Sequence, residues 1–96
     1  MITARHPQTG QLICKVRRCC SGMAWGLTRA QAEWLIEHLR GAPMDARQVD
    51  FMGLIGRYGT RYGQPRLLSQ ALHLRVNGRE YHVWKYGNCD EVAAHD

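Results

Sequence analysis

Val49-Asp50-Phe51-Met52-Gly53-Leu54-Ile55-Gly56-Arg57-Tyr58-Gly59-Thr60-Arg61-Tyr62-Gly63 occupies the middle of a 96-residue chain, and its reading decides how many helices the chain contains. The preceding Asp45-Ala46-Arg47-Gln48 has the form of a helix cap, with a short acceptor side chain followed three residues later by Gln. Val49, Met52, Leu54 and Ile55 then recur at spacings that suit a helix. A short helix is therefore expected, fraying among Gly53, Gly56 and Gly59, because each interior glycine costs about 1 kcal/mol relative to alanine. The segment after it gives Arg-Tyr-Gly twice, within a run from Phe51 to Arg79 that holds no acidic side chain. As a loop, the repeat presents two guanidiniums and two phenol rings, suited to phosphate contact and base stacking. As a continued helix, it places Arg57 and Arg61 at i and i+4 on one face and leaves Tyr58 and Tyr62 to pack on a sheet.

Downstream, Val76-Asn77-Gly78-Arg79 marks a tight hairpin, since Asn-Gly accepts the positive φ angles of a type I′ turn. A two-residue loop pairs Val76 with Arg79, Arg75 with Glu80, Leu74 with Tyr81, His73 with His82, Leu72 with Val83 and Ala71 with Trp84. Leu72, Leu74, Val76, Tyr81 and Val83 then form an apolar face, while His73, Arg75, Glu80, His82, Trp84 and Tyr86 lie on the other. Trp84 on that outer face calls for a cover, from the N-terminal hairpin or from a second subunit in a homodimer. Upstream, Thr28-Arg29-Ala30-Gln31 is a capping box. A helix is expected from there to about Arg40, with Ala32, Leu35, Ile36 and Leu39 on one face and Gly41 and Pro43 as stops. Ile2–Arg5 and Gln11–Val16 flank His6-Pro7-Gln8-Thr9-Gly10 as an N-terminal hairpin. Residues 17–26 read as a loop in which Trp25 anchors to the core. The expected fold is α+β, in the order β-β-α-α-β-β: an antiparallel sheet of two hairpins with two short helices packed on one face. Residues 1–96 form a single domain, with 88–96 as a loosely ordered tail.

The net charge of +5 is unevenly spread. Residues 1–32 hold Arg5, Lys15, Arg17, Arg18 and Arg29 with no acid, and residues 51–79 hold Arg57, Arg61, Arg66, Arg75 and Arg79 with none. Acids concentrate in 33–50 and from Glu80 onward. If the two basic blocks meet, a basic face results that attracts a polyanion more strongly than the net charge implies. No apolar run approaches the roughly 20 residues of a membrane span, and no secretory h-region opens the chain. A cytoplasmic protein is expected, with Cys14, Cys19, Cys20 and Cys89 as reduced thiols.

No complete catalytic or metal motif stands in the sequence. His73 and His82 are the nearest approach to one, as cross-strand neighbours. Zinc would need further ligands from His6, Cys14, Cys19, Cys20, Cys89 or His95, none at a recognisable spacing. Arg17-Arg18-Cys19-Cys20 offers a second phosphate anchor or a thiol made more acidic by its neighbours. His73, Glu80, His82, Lys85 and Tyr86 are group types able to move protons in RNA cleavage. The order of a strand, two helices and antiparallel strands, with the stretch from Leu67 to Tyr86, resembles the RelE-like messenger-RNA-cleaving toxins. That resemblance implies a small ribonuclease acting through His73 and His82. The chain departs from the pattern where Cys89-Asp90-Glu91 replaces a basic tail. The reading favoured by the residues is non-catalytic, without cofactor or metal. A basic surface of Arg57, Tyr58, Arg61, Tyr62 and Arg66, with Arg17 and Arg18, binds nucleic acid or an acidic nucleoprotein complex. In size and character it compares with phage-encoded inhibitors, anti-CRISPR proteins among them.

Overall fold

In a computed structural model, which describes residues 2–19 and 25–92, Asn77 and Gly78 take φ of 53° and 79°. This is the type I′ geometry the dipeptide favours. The pairing on either side is the expected one, from Val76 opposite Arg79 to Ala71 opposite Trp84. The described elements run β1 (Ile2–Arg5), β2 (Leu12–Arg18), α1 (Arg29–His38), β3 (Gln48–Arg61), β4 (Gln64–Val76), β5 (Arg79–Trp84) and β6 (Cys89–Glu91). The strands form one sheet in sequential order. All neighbours are antiparallel except β2 and β3, which run parallel because α1 carries the chain back between them.

The expected antiparallel sheet of two hairpins under two short helices is therefore corrected to a mixed six-stranded sheet with one helix. No second helix covers residues 45–55. Met44–Ala46 makes one 3-10 turn, and from Gln48 the chain is strand. The reason lies in a bulge. Phe51 pairs with Leu74 and Gly53 with His73, so Met52 is an extra residue on β3. Gly53 absorbs the distortion at φ 147°, where a side chain would be strained. The bulge moves the core positions from Val49 and Phe51 on to Leu54, while Val49, Met52 and Ile55, each three apart, match a helical spacing that the strand does not use. The Arg-Tyr-Gly repeat is neither loop nor helix. Arg57–Arg61 continues β3, and Tyr62-Gly63 is the turn into β4. Of the segment expected as a loose tail, Cys89–Glu91 pairs with β5, and residues 93–96 lie outside the described residues, as does Cys20.

The core sits on one face of the sheet. Val16, Val49, Phe51, Leu72, Leu74, Val76 and Val83 are each at most 2% exposed, with Ala32 and Leu35 of the helix and Leu39 at its C-cap packed against them. Burial of each such large side chain contributes about 1.5–3 kcal/mol. Trp25 anchors to this core as expected, edge-on to Phe51 at 4.8 Å. Thr28 forms the predicted capping box: its hydroxyl accepts from Gln31 N–H and the Gln31 side chain accepts from Thr28 N–H. The Gln31 amide also donates to the Val83 carbonyl at 2.9 Å and the Thr28 hydroxyl to the Lys85 carbonyl at 2.6 Å. These bonds fix α1 over β5. The opposite face of the sheet has no covering layer among the described residues. The N-terminal hairpin extends the sheet beside β3 and does not cover Trp84.

Candidate nucleic-acid interface

β3 and β4 outrun their neighbours. β2 pairs with β3 only as far as Phe51, and β5 pairs with β4 only back to Ala71. Beyond those points the two strands pair with each other alone, through Arg57–Ser69, Tyr58–Leu67, Gly59–Arg66, Thr60–Pro65 and Arg61–Gln64. The result is a two-stranded ribbon that extends past the body. A second bulge, at Leu68 on β4, shifts the register beside Tyr58.

Register sorts the ribbon's side chains. Arg57, Gly59 and Arg61 share one face, and Arg66, opposite Gly59, joins them. That face continues the uncovered side of the sheet, where Arg57 lies over the Trp84 ring with its guanidinium carbon 4.5 Å from the centroid. Tyr58 and Leu67 occupy the other face, 67% and 43% exposed. Gly56 gives the Tyr58 ring room to lie back: a Cβ there would stand 2.8 Å from that ring. At the tip, Tyr62 is 90% exposed and holds φ 53°. This left-handed backbone costs a residue with a Cβ about 1–2 kcal/mol.

The charges differ sharply between ribbon and body. On the body, Arg29, Arg40 and Arg79 face Glu33, Glu37 and Glu91, and Arg17 and Arg75 share Asp50. Arg5 and Arg47 donate to the carbonyls of Gly10 and Ala42. None of the ion pairs among the described residues involves Arg57, Arg61 or Arg66. Unpaired guanidiniums keep their forked donors for a ligand.

Five of the seven residues expected to bind thus come together: Arg57, Tyr58, Arg61, Tyr62 and Arg66. Arg17 and Arg18 do not join them. They stand on β2 opposite Asp50 and Phe51, on the order of 20 Å along β3 from Arg57. Arg17 is committed to Asp50 through two hydrogen bonds of 2.9 and 3.0 Å. The two basic blocks therefore do not form one surface through these residues.

On the uncovered face, His73 and His82 are neighbours as expected, with ring centroids 4.9 Å apart. His73 Nε2 donates to Glu80 at 3.0 Å. Burial holds His82 below the usual imidazole value, and His73 pushes the same way against the pull of Asp90 and Glu80. Among the described residues, no group of three or more His, Cys, Asp or Glu can hold a metal ion; His95 lies outside them. Cys14 is buried, and its thiol is pushed up to about 11 by that burial, so it stays protonated and inert. The element order behind the likeness to RelE-like toxins is absent, since one helix stands where two were required.

Trp84 was legible as a residue needing cover, but not what covers it. It is 9% exposed, with Arg57 over its face and Asp90 accepting from its indole N–H at 2.9 Å. Both partners come from the same chain. Arg57 reaches Trp84 across the β3–β4 register, and Asp90 reaches it only because β6 returns along β5. Searches of protein-family models, curated proteins and solved structures find no match to this chain. No described helix is long and apolar enough to cross a membrane.

Proposed function

We propose that the chain is a non-catalytic binding protein whose β3–β4 ribbon grips nucleic acid, free or within a nucleoprotein complex. One observation carries the reading: Arg57, Arg61 and Arg66 line one face of a projecting ribbon with no acid among them, while the body's arginines mostly have acceptors. Phosphates are the natural partners of such a row. The exposed rings of Tyr58 and Tyr62 supply stacking surfaces that tolerate any base. Strain at Tyr62 supports the same reading, because an aromatic ring at a left-handed turn position costs stability, and its contact within the fold is the Arg61 guanidinium 5.5 Å over its face.

The test is charge reversal. Wild type and Arg61→Glu/Arg66→Glu are compared for binding a fluorescent oligonucleotide and for capture of partners from nuclease-treated extract. Loss of oligonucleotide binding in the variant, with circular dichroism unchanged, is the expected result. Equal binding by both proteins refutes the ribbon as the contact. Capture of a nucleoprotein complex without any affinity for free nucleic acid would assign the ribbon to an inhibitor that occupies a nucleic-acid-handling machine.

A further inference from the structure

The arginine face of the ribbon does not stop at Arg57. It runs into a cleft of about 490 Å³ at the ribbon's root, lined by Arg57, Ser69, Trp84, Tyr86, Asn88 and Asp90. We infer that this cleft takes one unpaired nucleobase bearing an exocyclic amino group, so that the bound nucleic acid is single-stranded at that point. The inference rests on the function proposed above and names its substrate class.

The cleft has the size of a small-molecule site, which commonly spans about 300–1,000 Å³. One wall is built rigidly. Trp84 is held by its indole N–H on Asp90 at 2.9 Å, and Arg57 lies over its ring. A guanidinium supported on an indole is a preformed stacking surface for a planar base. Tyr86, 75% exposed, provides an aromatic ring at the rim. The strand–turn–strand that carries these groups is closed by the Trp84 N–H donating to the Asn88 carbonyl at 2.7 Å. Stacking is therefore available without reorganising the backbone.

The polar groups choose what enters. Asp90 puts a carboxylate in the cleft, which repels phosphate and leaves the phosphates to Arg61 and Arg66 outside. Only Oδ2 of Asp90 accepts from Trp84, so Oδ1 is available to accept from an N–H of the ligand. Exocyclic amino groups of cytosine, adenine and guanine satisfy it; thymine and uracil have none. Asn88 adds an amide donor and acceptor beside it. A base inside a duplex has its faces covered by neighbours and its pairing edge by its partner. Only an unpaired base can stack on Arg57 and meet Asp90 together.

The test uses the full chain and fluorescein-labelled oligonucleotides of about 12 nucleotides, within the usual site size for single-strand binders. Oligo-dC is expected to bind roughly tenfold more tightly than oligo-dT, the scale of one hydrogen bond to a charged group, and more tightly than a duplex of equal length. Asp90→Asn keeps an acceptor for Trp84 but loses the charge, and is expected to erase the dC-over-dT preference. Asn88→Ala, which touches neither strand pairing nor Trp84 through its side chain, is the second variant and should reduce the preference in part. Arg61→Ala/Arg66→Ala should lower affinity for every oligonucleotide alike. Equal affinity for dC, dT and duplex, or a preference unchanged in Asp90→Asn, overturns the base site while leaving the ribbon reading intact. Failure to bind any of them overturns both the base site and the ribbon as a contact for free nucleic acid.

Discussion

Tyr62 and Asn77 hold the same backbone angle, φ 53°, each followed by a glycine with positive φ. The chain thus contains its own control for a tight turn. Asn77-Gly78 is the dipeptide such a turn favours, and Tyr62-Gly63 is not. Replacing Tyr62→Asn should stabilise the protein by about 1 kcal/mol, raising Tm by several degrees on the scale of about 4–8 °C per kcal/mol for a domain of this size. The same change should weaken nucleic-acid binding. Calorimetry and anisotropy on one variant read both effects, and a stabilised protein with undiminished affinity would make Tyr62 a turn residue only. His82 supplies the pH dependence. Its folded-state value lies below the ordinary 6.5, because burial and His73 disfavour the charged ring. The unfolded chain therefore binds more protons in the window just below pH 6.5, and stability falls as pH drops through it. His73, Glu80 and Asp90 are the charged or titratable groups that act on the same ring. In His82→Gln the fall in Tm between pH 7 and pH 5.5 should be smaller than in wild type; an equal fall would move the effect to other groups.

At the scale of elements, the ribbon is the least supported part of the fold. An isolated two-stranded ribbon is marginal in water, and beyond Ala71 neither of its outer edges has a neighbouring strand. Hydrogen exchange should find the amides of Tyr58 and Thr60 fast and those of Phe51, Leu72 and Leu74 slow, with protection of the ribbon appearing on addition of oligonucleotide. Protection confined to the body would contradict the ribbon's role. The same contrast explains what could be read in the sequence. The Asn77-Gly78 hairpin and the Thr28 capping box are local, and their geometry follows from adjacent residues. The ribbon was hidden twice: by Met52, the bulge residue, which with Val49 and Ile55 matches a helical spacing, and by Tyr62, which is no ordinary turn residue. The arginines and tyrosines of the repeat were legible as binding types. Their division between two faces was not, because it follows from β3 continuing as a strand through the repeat, and Arg66 joins the arginines only through the register set by the Leu68 bulge.

At the scale of the molecule, the sheet divides its tasks by face. One side carries the core and α1, and the other is uncovered, with Arg57, Arg61 and Arg66 leading toward the cleft at Trp84. The condition for one large basic face, that the two basic blocks meet, is not satisfied at Arg17, which is spent on Asp50 at the far end of β3. Trp84 and Asp90 come together only through the β5–β6 register, which nothing local announces. The central claim is that the ribbon arginines contact phosphates. The most direct measurement is the salt dependence of oligonucleotide affinity for wild type and for Arg61→Ala/Arg66→Ala. Each phosphate contact on a single strand contributes about −0.7 to the slope of log K against log salt, so loss of two should flatten it by about 1.4. A slope unchanged in the double variant would contradict the account.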